Sequence, residues 1–238
     1  MESPPKKKTS KSKKPSKTRP ANPISECMRC GTCCKKGGPS FHHADKTLIE
    51  EGVIHSKYLY TIRKSELAYD NVKQCLEPVS SDVIKIKGKN NSWTCIFFNE
   101  AQSACSIYEN RPIECRVQRC WDTQELEDLY AKKRLARKDL LSEIEGLWGL
   151  IKAHQEHCNY QTIRKLVNTI DSNEGDGARE KLIEIIQYDI EIRKLVVSTA
   201  GLDAEMLDFL LGRPLKQTLK NYGLTVLQRA EKIVLVQP

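Results

Sequence analysis

The sequence predicts an α+β protein in which a small cysteine-rich module with a short β-hairpin precedes a mainly α-helical C-terminal portion. Three observations carry that expectation. Eight of the ten cysteines fall in two clusters between Cys27 and Cys120. Apolar β-branched and aromatic residues flank a Gly/Asn turn near Asn90. Beyond Asp122, apolar residues recur at helical spacing.

Taken in order, residues 1–23 are Lys, Ser, Thr and Pro with almost no apolar side chains. Such a segment buries too little surface to offset its ordering entropy, so a disordered basic tail is expected. The cysteine-cluster domain is expected over 24–121 and the helical region over 122–238. A short helix signal lies at Lys46–Glu51. Val83, Ile84 and Ile86, the turn Gly88-Lys89-Asn90-Asn91-Ser92, and then Trp93, Ile96 and Phe97 read as two paired strands. Asp122-Thr123-Gln124-Glu125 resembles a helix start with a capping residue. The stripe Leu126, Leu129, Ala136, Leu140, Ile144, Leu147, Ile151 follows, broken at Lys133. Further helices are expected over Gln161–Ile170, closed by the loop Asp171–Gly177, and over Arg179–Ser198. Leu182, Ile185, Ile186, Tyr188, Ile190, Leu195 and Val196 are the buried set of the second. Asp203 reads as the cap of a short helix ending at Gly212. Pro214 suits the first turn of another that Gly223 stops. Ile233–Val236 is compatible with helix or strand.

Composition removes several classes of protein. Hydrophobic residues are 39% of the 238, below the roughly 45–50% of an average globular chain. No apolar run approaches the roughly 18–20 residues of a membrane helix, so no integral membrane segment is expected. No apolar stretch follows the basic N-terminus as in a secretory signal, so a cytoplasmic protein with reduced thiols is expected. Ten cysteines in 238 residues are fewer than the roughly 8–10% of a short disulfide scaffold. Clustered cysteines in such a chain read first as metal ligands. The net charge of +8 is uneven: residues 1–20 carry +7 and the other 218 residues carry +1. The tail therefore reads as solubilising, with weak contact to nucleic-acid phosphates or another anionic surface as its binding alternative. It holds no aromatic residue on which a base would stack.

The first cluster is Cys27-x2-Cys30-x2-Cys33-Cys34 and the second is Cys95-x9-Cys105-x9-Cys115-x4-Cys120. A Cys-x2-Cys loop curls tightly enough to turn two sulfurs toward one cation, and Gly31 supplies a tight turn. Adjacent Cys33 and Cys34 leave the backbone in different directions, so they serve two sites, or two metals of one cluster, more easily than one ion. Eight thiols match two four-ligand sites in number; two zincs, one cluster plus one zinc, and a polynuclear site all satisfy the arithmetic. Thiolate suits zinc and iron–sulfur alike. Cys27, Cys30 and Cys33 have the spacing of the first three ligands of a bacterial-type iron–sulfur run, but the fourth cysteine of that run is missing. Saturated cysteine coordination leaves no open position for a substrate water, which disfavours catalytic zinc. Arg111, Arg116 and Arg119, and a helix N-terminus after Cys115 and Cys120, are candidate partners for the thiolate charge.

These motifs carry a resemblance. Cys27-x2-Cys30-Gly31-x-Cys33-Cys34, then Trp93-x-Cys95-Ile96-Phe97, then Cys105-Ser106-Ile107-Tyr108-Glu109-x-Arg111-Pro112-x2-Cys115-Arg116 resemble the YkgJ-type cysteine-cluster family, described as zinc- or iron-chelating and mostly bacterial. The match spans about residues 24–121. It implies metal chelation by these cysteines in a bacterial, cytoplasmic setting, and it implies no particular biochemical activity. Cys120 is the outlying member of the carry-over, and the pattern says nothing of Cys75 or Cys158.

Other residues carry less. His42 and His43, near the first cluster, are candidate ligands but read first as ordinary packing or surface residues. His154, His157 and Cys158 have a spacing that places ligands on one helix face, without a second pair to complete a site. His55 has no context. Cys75 and Cys158 read as buried small hydrophobes. No feature marks a catalytic residue or a phosphate-binding glycine loop. The expected function is a metal-binding protein holding zinc or an iron–sulfur cluster. The alternatives are an iron–sulfur redox protein or enzyme, and a nucleic-acid-associated zinc protein using the tail.

Overall fold

In a computed structural model, residues 26–170, 175–229 and 232–237 are described. The basic tail expected over 1–23 and most of the loop expected at 171–177 lie outside them. The architecture is α+β, with short antiparallel strand pairs among helices.

The first helix, Lys46–Glu50 (α1), sits where the sequence places it. Leu59–Ile62 (β1), Leu67–Asp70 (β2), Cys75–Pro78 (β3) and Val83–Ile86 (β4) follow. Strand β4 pairs with β1, Leu59 opposite Ile86, and β2 pairs with β3. The hairpin expected between 83–86 and 93–97 is thus corrected: that turn closes on a single bridge, Gly88 to Cys95. The apolar face of β4 finds a better cover in β1, whose Leu59 and Thr61 are fully buried. The Thr61 hydroxyl donates to the Phe209 carbonyl at 2.7 Å, fastening the strand pair to the helical part.

A two-residue hairpin, Phe98–Asn99 (β5) with Ala104–Cys105 (β6), carries the second cysteine cluster toward Ile113–Val117 (α2). The stripe from Leu126 to Ile151 becomes three helices rather than two: Gln124–Tyr130 (α3), Arg137–Leu141 (α4) and Glu145–His157 (α5). Lys133, at φ +49°, marks the expected break. Asn159 caps Tyr160–Thr169 (α6), its side chain accepting from the Gln161 amide at 2.8 Å.

The long helix Gly175–Ala200 (α7) buries Leu182, Ile185, Ile186, Asp189, Arg193 and Val196. Leu195, expected inside, is 54% exposed, because this stripe passes through Asp189 and Arg193 instead. Asp203 caps the short turn before Leu207–Leu210 (α8), and Pro214 precedes Leu215–Thr218 (α9). Gly223, at φ +74°, ends the turn Leu219–Tyr222 that follows α9. The chain finishes as a hairpin, Thr225–Arg229 (β7) with Lys232–Val236 (β8), which resolves the end of the chain as strand.

Two apolar cores result. One joins Phe41, Ile54, Leu59, Ile84 and Ile86 to Leu135, Ile151, Val196 and Phe209, so the strands near the cysteines pack directly on the helices. The other packs α6, α7, α9 and the last hairpin around Ile163, Leu182, Ile186, Leu215 and Leu219. Burying each such Leu or Ile side chain stabilises by about 1.5–3 kcal/mol.

Candidate metal centre

The first cysteine loop is shaped by its backbone. The Lys35 amide donates to the Gly31 carbonyl at 3.0 Å and the Lys36 amide to that of Cys33 at 3.1 Å. Gly31 has φ +74°, and a Cβ there would come within 2.2 Å of the Phe98 ring. Only glycine lets the loop close over Phe98. Arg29, inside the first Cys-x2-Cys, lies 5.1 Å from the Tyr108 ring centroid, and Arg111 lies 3.5 Å from the same centroid. One ring thus joins the first loop to the second cluster through two cations.

Backbone hydrogen bonds fix the second cluster. The Cys95 amide donates to the Cys34 carbonyl at 2.7 Å, and the Phe98 amide to the Cys95 carbonyl at 3.0 Å. Phe98 then pairs with Cys105 across β5 and β6. Cys115 stands in α2, its amide bonded to the Pro112 carbonyl at 3.0 Å. It was expected ahead of a helix; the Pro112 turn starts a helix early enough to include it.

The neighbours that act most strongly on Cys33, Cys34 and Cys115 divide the clustered thiols into two groups. Cys33 is pushed up by burial and by the neighbouring Cys120, Cys27 and Cys30. Cys34 is pushed up to about 11 by burial, Cys95 and Cys105, and more weakly by Cys33 and Cys27. Cys115 is pushed up by burial, Cys95, Cys34 and Cys105. An inner set of Cys34, Cys95, Cys105 and Cys115 therefore faces an outer set of Cys27, Cys30, Cys33 and Cys120. All four outer cysteines are exposed, whereas every inner one is partly or fully buried. Cys30 alone is shifted down, by the Thr32 hydroxyl 3.2 Å from its sulfur.

Soft sulfur donors in two fours fit zinc or iron by chemistry. A four-thiolate zinc at about 2.3 Å per bond needs closer sulfurs than these: among the described residues no three cysteine sulfurs lie mutually within 4.8 Å.

Beneath α2 lies a polar support that sequence reasoning missed. His42 is buried, with Nδ1 2.8 Å from the Lys132 carbonyl and Nε2 3.1 Å from Glu114 Oε1. Burial works to lower the His42 pKa, but these two acceptors outweigh it and the net shift is upward. The ring thus donates from both nitrogens and has none left for a metal. Glu114 also accepts the Ser40 amide at 2.6 Å, and Asp45 accepts the Ile113 amide at 2.8 Å. These carboxylates hold the helix bearing Cys115 against the segment after the first cluster. No spacing in the sequence pairs His42 with Glu114.

The remaining candidates are placed elsewhere. His43 is 3.7 Å from Asp139, His55 accepts the Lys57 amide, and His157 stacks on Tyr188 with centroids 3.9 Å apart. Arg111 donates to the Tyr108 carbonyl, Arg116 to the Arg111 carbonyl, and Arg119 pairs with Glu125. Cys75, expected inside, is exposed on β3, while Cys158 is fully buried.

One trio of ligand-type atoms does lie within 4.8 Å, from His154, Cys158 and Asp189. Its carboxylate is already committed, and only His154 Nδ1 lacks a hydrogen-bond partner. Asp189 Oδ1 accepts from His154 Nε2 at 2.8 Å and from Arg193 Nε at 2.9 Å, and Oδ2 accepts the Leu215 amide at 2.9 Å. Burial acts to raise Asp189, yet the His154 hydrogen bond and the Arg193 charge hold it down at about 2. Burial pushes His154 down to about 4, helped by the Arg63 charge. Two guanidiniums acting on this trio repel a cation, so it reads as a buried ion-pair network.

The thiol-rich loops on an α+β scaffold define a cysteine-cluster domain. Residues 26–134 match the model of the CxxCxxCC family, whose description is "Putative zinc- or iron-chelating domain". No curated protein and no solved structure matches the chain. Among the described residues, no helix is long and apolar enough to cross a membrane.

Proposed function

We propose that the eight clustered cysteines hold two zinc ions, one in the inner set and one in the outer, and that these ions fasten the loops of residues 26–134. The observation that carries this reading is the division of the thiols at Cys33 and Cys34, which sends each adjacent cysteine to a different group of four. Four thiolates close a tetrahedral zinc site, which suits a structural role. Zinc bound there supplies folding free energy to a region whose strands are as short as two residues. In the inner set, Cys34, Cys95 and Cys105 present sulfur from a bonded frame and Cys115 closes it from α2. In the outer set, Cys27, Cys30 and Cys33 come from one loop and Cys120 from the chain beyond α2.

The exposure of the outer set favours a second reading, an iron–sulfur cluster bound there, because its sulfurs reach solvent. Metal analysis of the anaerobically purified full chain, with a visible spectrum of the same sample, tests both. Two zincs per chain without visible absorbance is the expected result. Iron with matching acid-labile sulfide supports the cluster, and a chain that binds neither metal contradicts the proposal.

A further inference from the structure

Away from the cysteines, a cavity of about 480 Å³ opens where the end of α5 meets the start of α6. That size falls within the roughly 300–1,000 Å³ of small-molecule sites. Its lining includes four cations, Arg63, Lys64, Lys138 and Lys152, with Ser80 and Ser81. Two acids, Asp82 and Glu156, also line it. Asp82 is already engaged, accepting from Arg137 Nε at 2.7 Å and from the Lys64 amide at 3.0 Å. Lys64, Lys138 and Lys152 are exposed, and none forms an ion pair among the described residues.

Arg63 gives the cavity its distinctive chemistry. Its side chain is 1% exposed, and its Nε and Nη2 have no hydrogen-bond partner. Nη1 donates to the Cys158 carbonyl at 3.1 Å, and the guanidinium lies 4.4 Å from the Tyr160 ring centroid. Burying a cation is costly unless it is paired. The natural partner, Glu66, instead accepts the Arg63 backbone amide and a hydrogen bond from Arg213. The side chain is held in place from behind: Gly212 has φ +78°, and a Cβ there would come within 2.7 Å of the Arg63 stem. A fixed guanidinium with buried, unmet donors therefore lines the same cavity as three lysines that form no ion pair among the described residues.

We infer that this cavity binds a phosphomonoester, its phosphate among Arg63, Lys64, Lys138 and Lys152 and its planar organic body against Trp148. The lining carries a formal net charge of +2, matching a phosphate group that bears about −1.5 to −2 at neutral pH. Trp148 and Tyr160 supply the apolar wall that such a body needs. The site shares no lining residue with the cysteine sets, so it stands whether or not the metal proposal does.

Calorimetric titration of the full chain with adenosine monophosphate at low salt tests the inference. One site per chain is expected, with adenosine itself binding at least about tenfold more weakly. Lys138→Gln and Lys152→Gln, both at exposed positions, should each weaken binding about three- to tenfold without changing the melting temperature. Arg63→Lys is a stronger probe where a melting curve shows that it folds. Absence of saturable binding overturns the proposal. So does unaltered binding in the Lys138→Gln/Lys152→Gln double variant, which would place the phosphate elsewhere, such as on the basic residues 1–20.

Discussion

Around α6 and α7, Ile163, Leu182, Ile186, Leu215 and Leu219 are all fully buried, and the helices are ten and 26 residues long. Around the cysteines, the local strands are two residues long and only Cys95 of the eight clustered cysteines is buried. The first region is held by apolar surface removed from water. The second places Cys95 and Phe98 at the edge of the other apolar core and adds directional ties: the Gly31 turn over Phe98, the Tyr108 ring between chain segments, and the Glu114 and Asp45 carboxylates under α2. Directional ties orient loops but supply little net free energy, since each hydrogen bond contributes only about 0.5–1.5 kcal/mol. That deficit is what two bound ions would fill. The difference teaches that one chain can join a region held by helix packing to a loop region with far less buried surface of its own, where the proposed ions would act.

Breaking the second region should have the largest effect. Cys115→Ser removes an inner ligand and should destabilise residues 26–134 by more than about 4 kcal/mol. Hydrogen exchange would show it as lost amide protection in that stretch, with α6 and α7 still protected. Cys27→Ser should remove one metal equivalent with a smaller loss of protection. Equal loss in the two variants would erase the distinction between inner and outer sets.

Leu182→Ala is the reciprocal perturbation. It should cost about 2–5 kcal/mol by leaving a cavity in the second core. Metal content per folded chain should remain that of the parent, as read by metal analysis after size-exclusion chromatography.

Acid should act on the helical region next. His154 is held down to about 4 by burial, whereas an unfolded histidine titrates near 6.5. Between those values the unfolded state binds the extra proton, so stability falls as pH falls. The loss should reach about 3 kcal/mol by pH 4. Exchange rates of α5 and α7 amides, followed from pH 7 downward after correction for intrinsic exchange, should show it, and His154→Gln should flatten the dependence. Asp189, held down at about 2, keeps its contribution throughout this window.

The smallest effect belongs to Glu114→Gln. It leaves His42 without its carboxylate partner and should cost about 1–3 kcal/mol. Thermal melting should reveal it together with faster release of metal to a chelator.

The long helices and the cysteine clusters were legible because each has a local pattern. The stripe through Leu182, Ile185 and Ile186 is helical in period, and Cys-x2-Cys spacing is a geometric statement about one loop. The strand pairing was not, because β4 chooses β1, more than twenty residues upstream, over the nearer residues past the Gly/Asn turn. Nor was the course of α7, since a reading of apolar period passes over Asp189, met inside by His154 and the Leu215 amide, and Arg193, met there by Asp189 and the Gly212 carbonyl. The division of thiols into two sets was open at the same level. Adjacent Cys33 and Cys34 invited it, but which of Cys95, Cys105, Cys115 and Cys120 joins which depends on the Cys34–Cys95 backbone bond and on where α2 ends.

X-ray absorption at the metal edge of the purified full chain is the most direct test of the central claim. The account predicts a first shell of four sulfurs at about 2.3 Å per zinc, preserved at half the metal content in Cys27→Ser. A first shell of nitrogen or oxygen, or fewer than four sulfurs per ion in the unaltered chain, would contradict it.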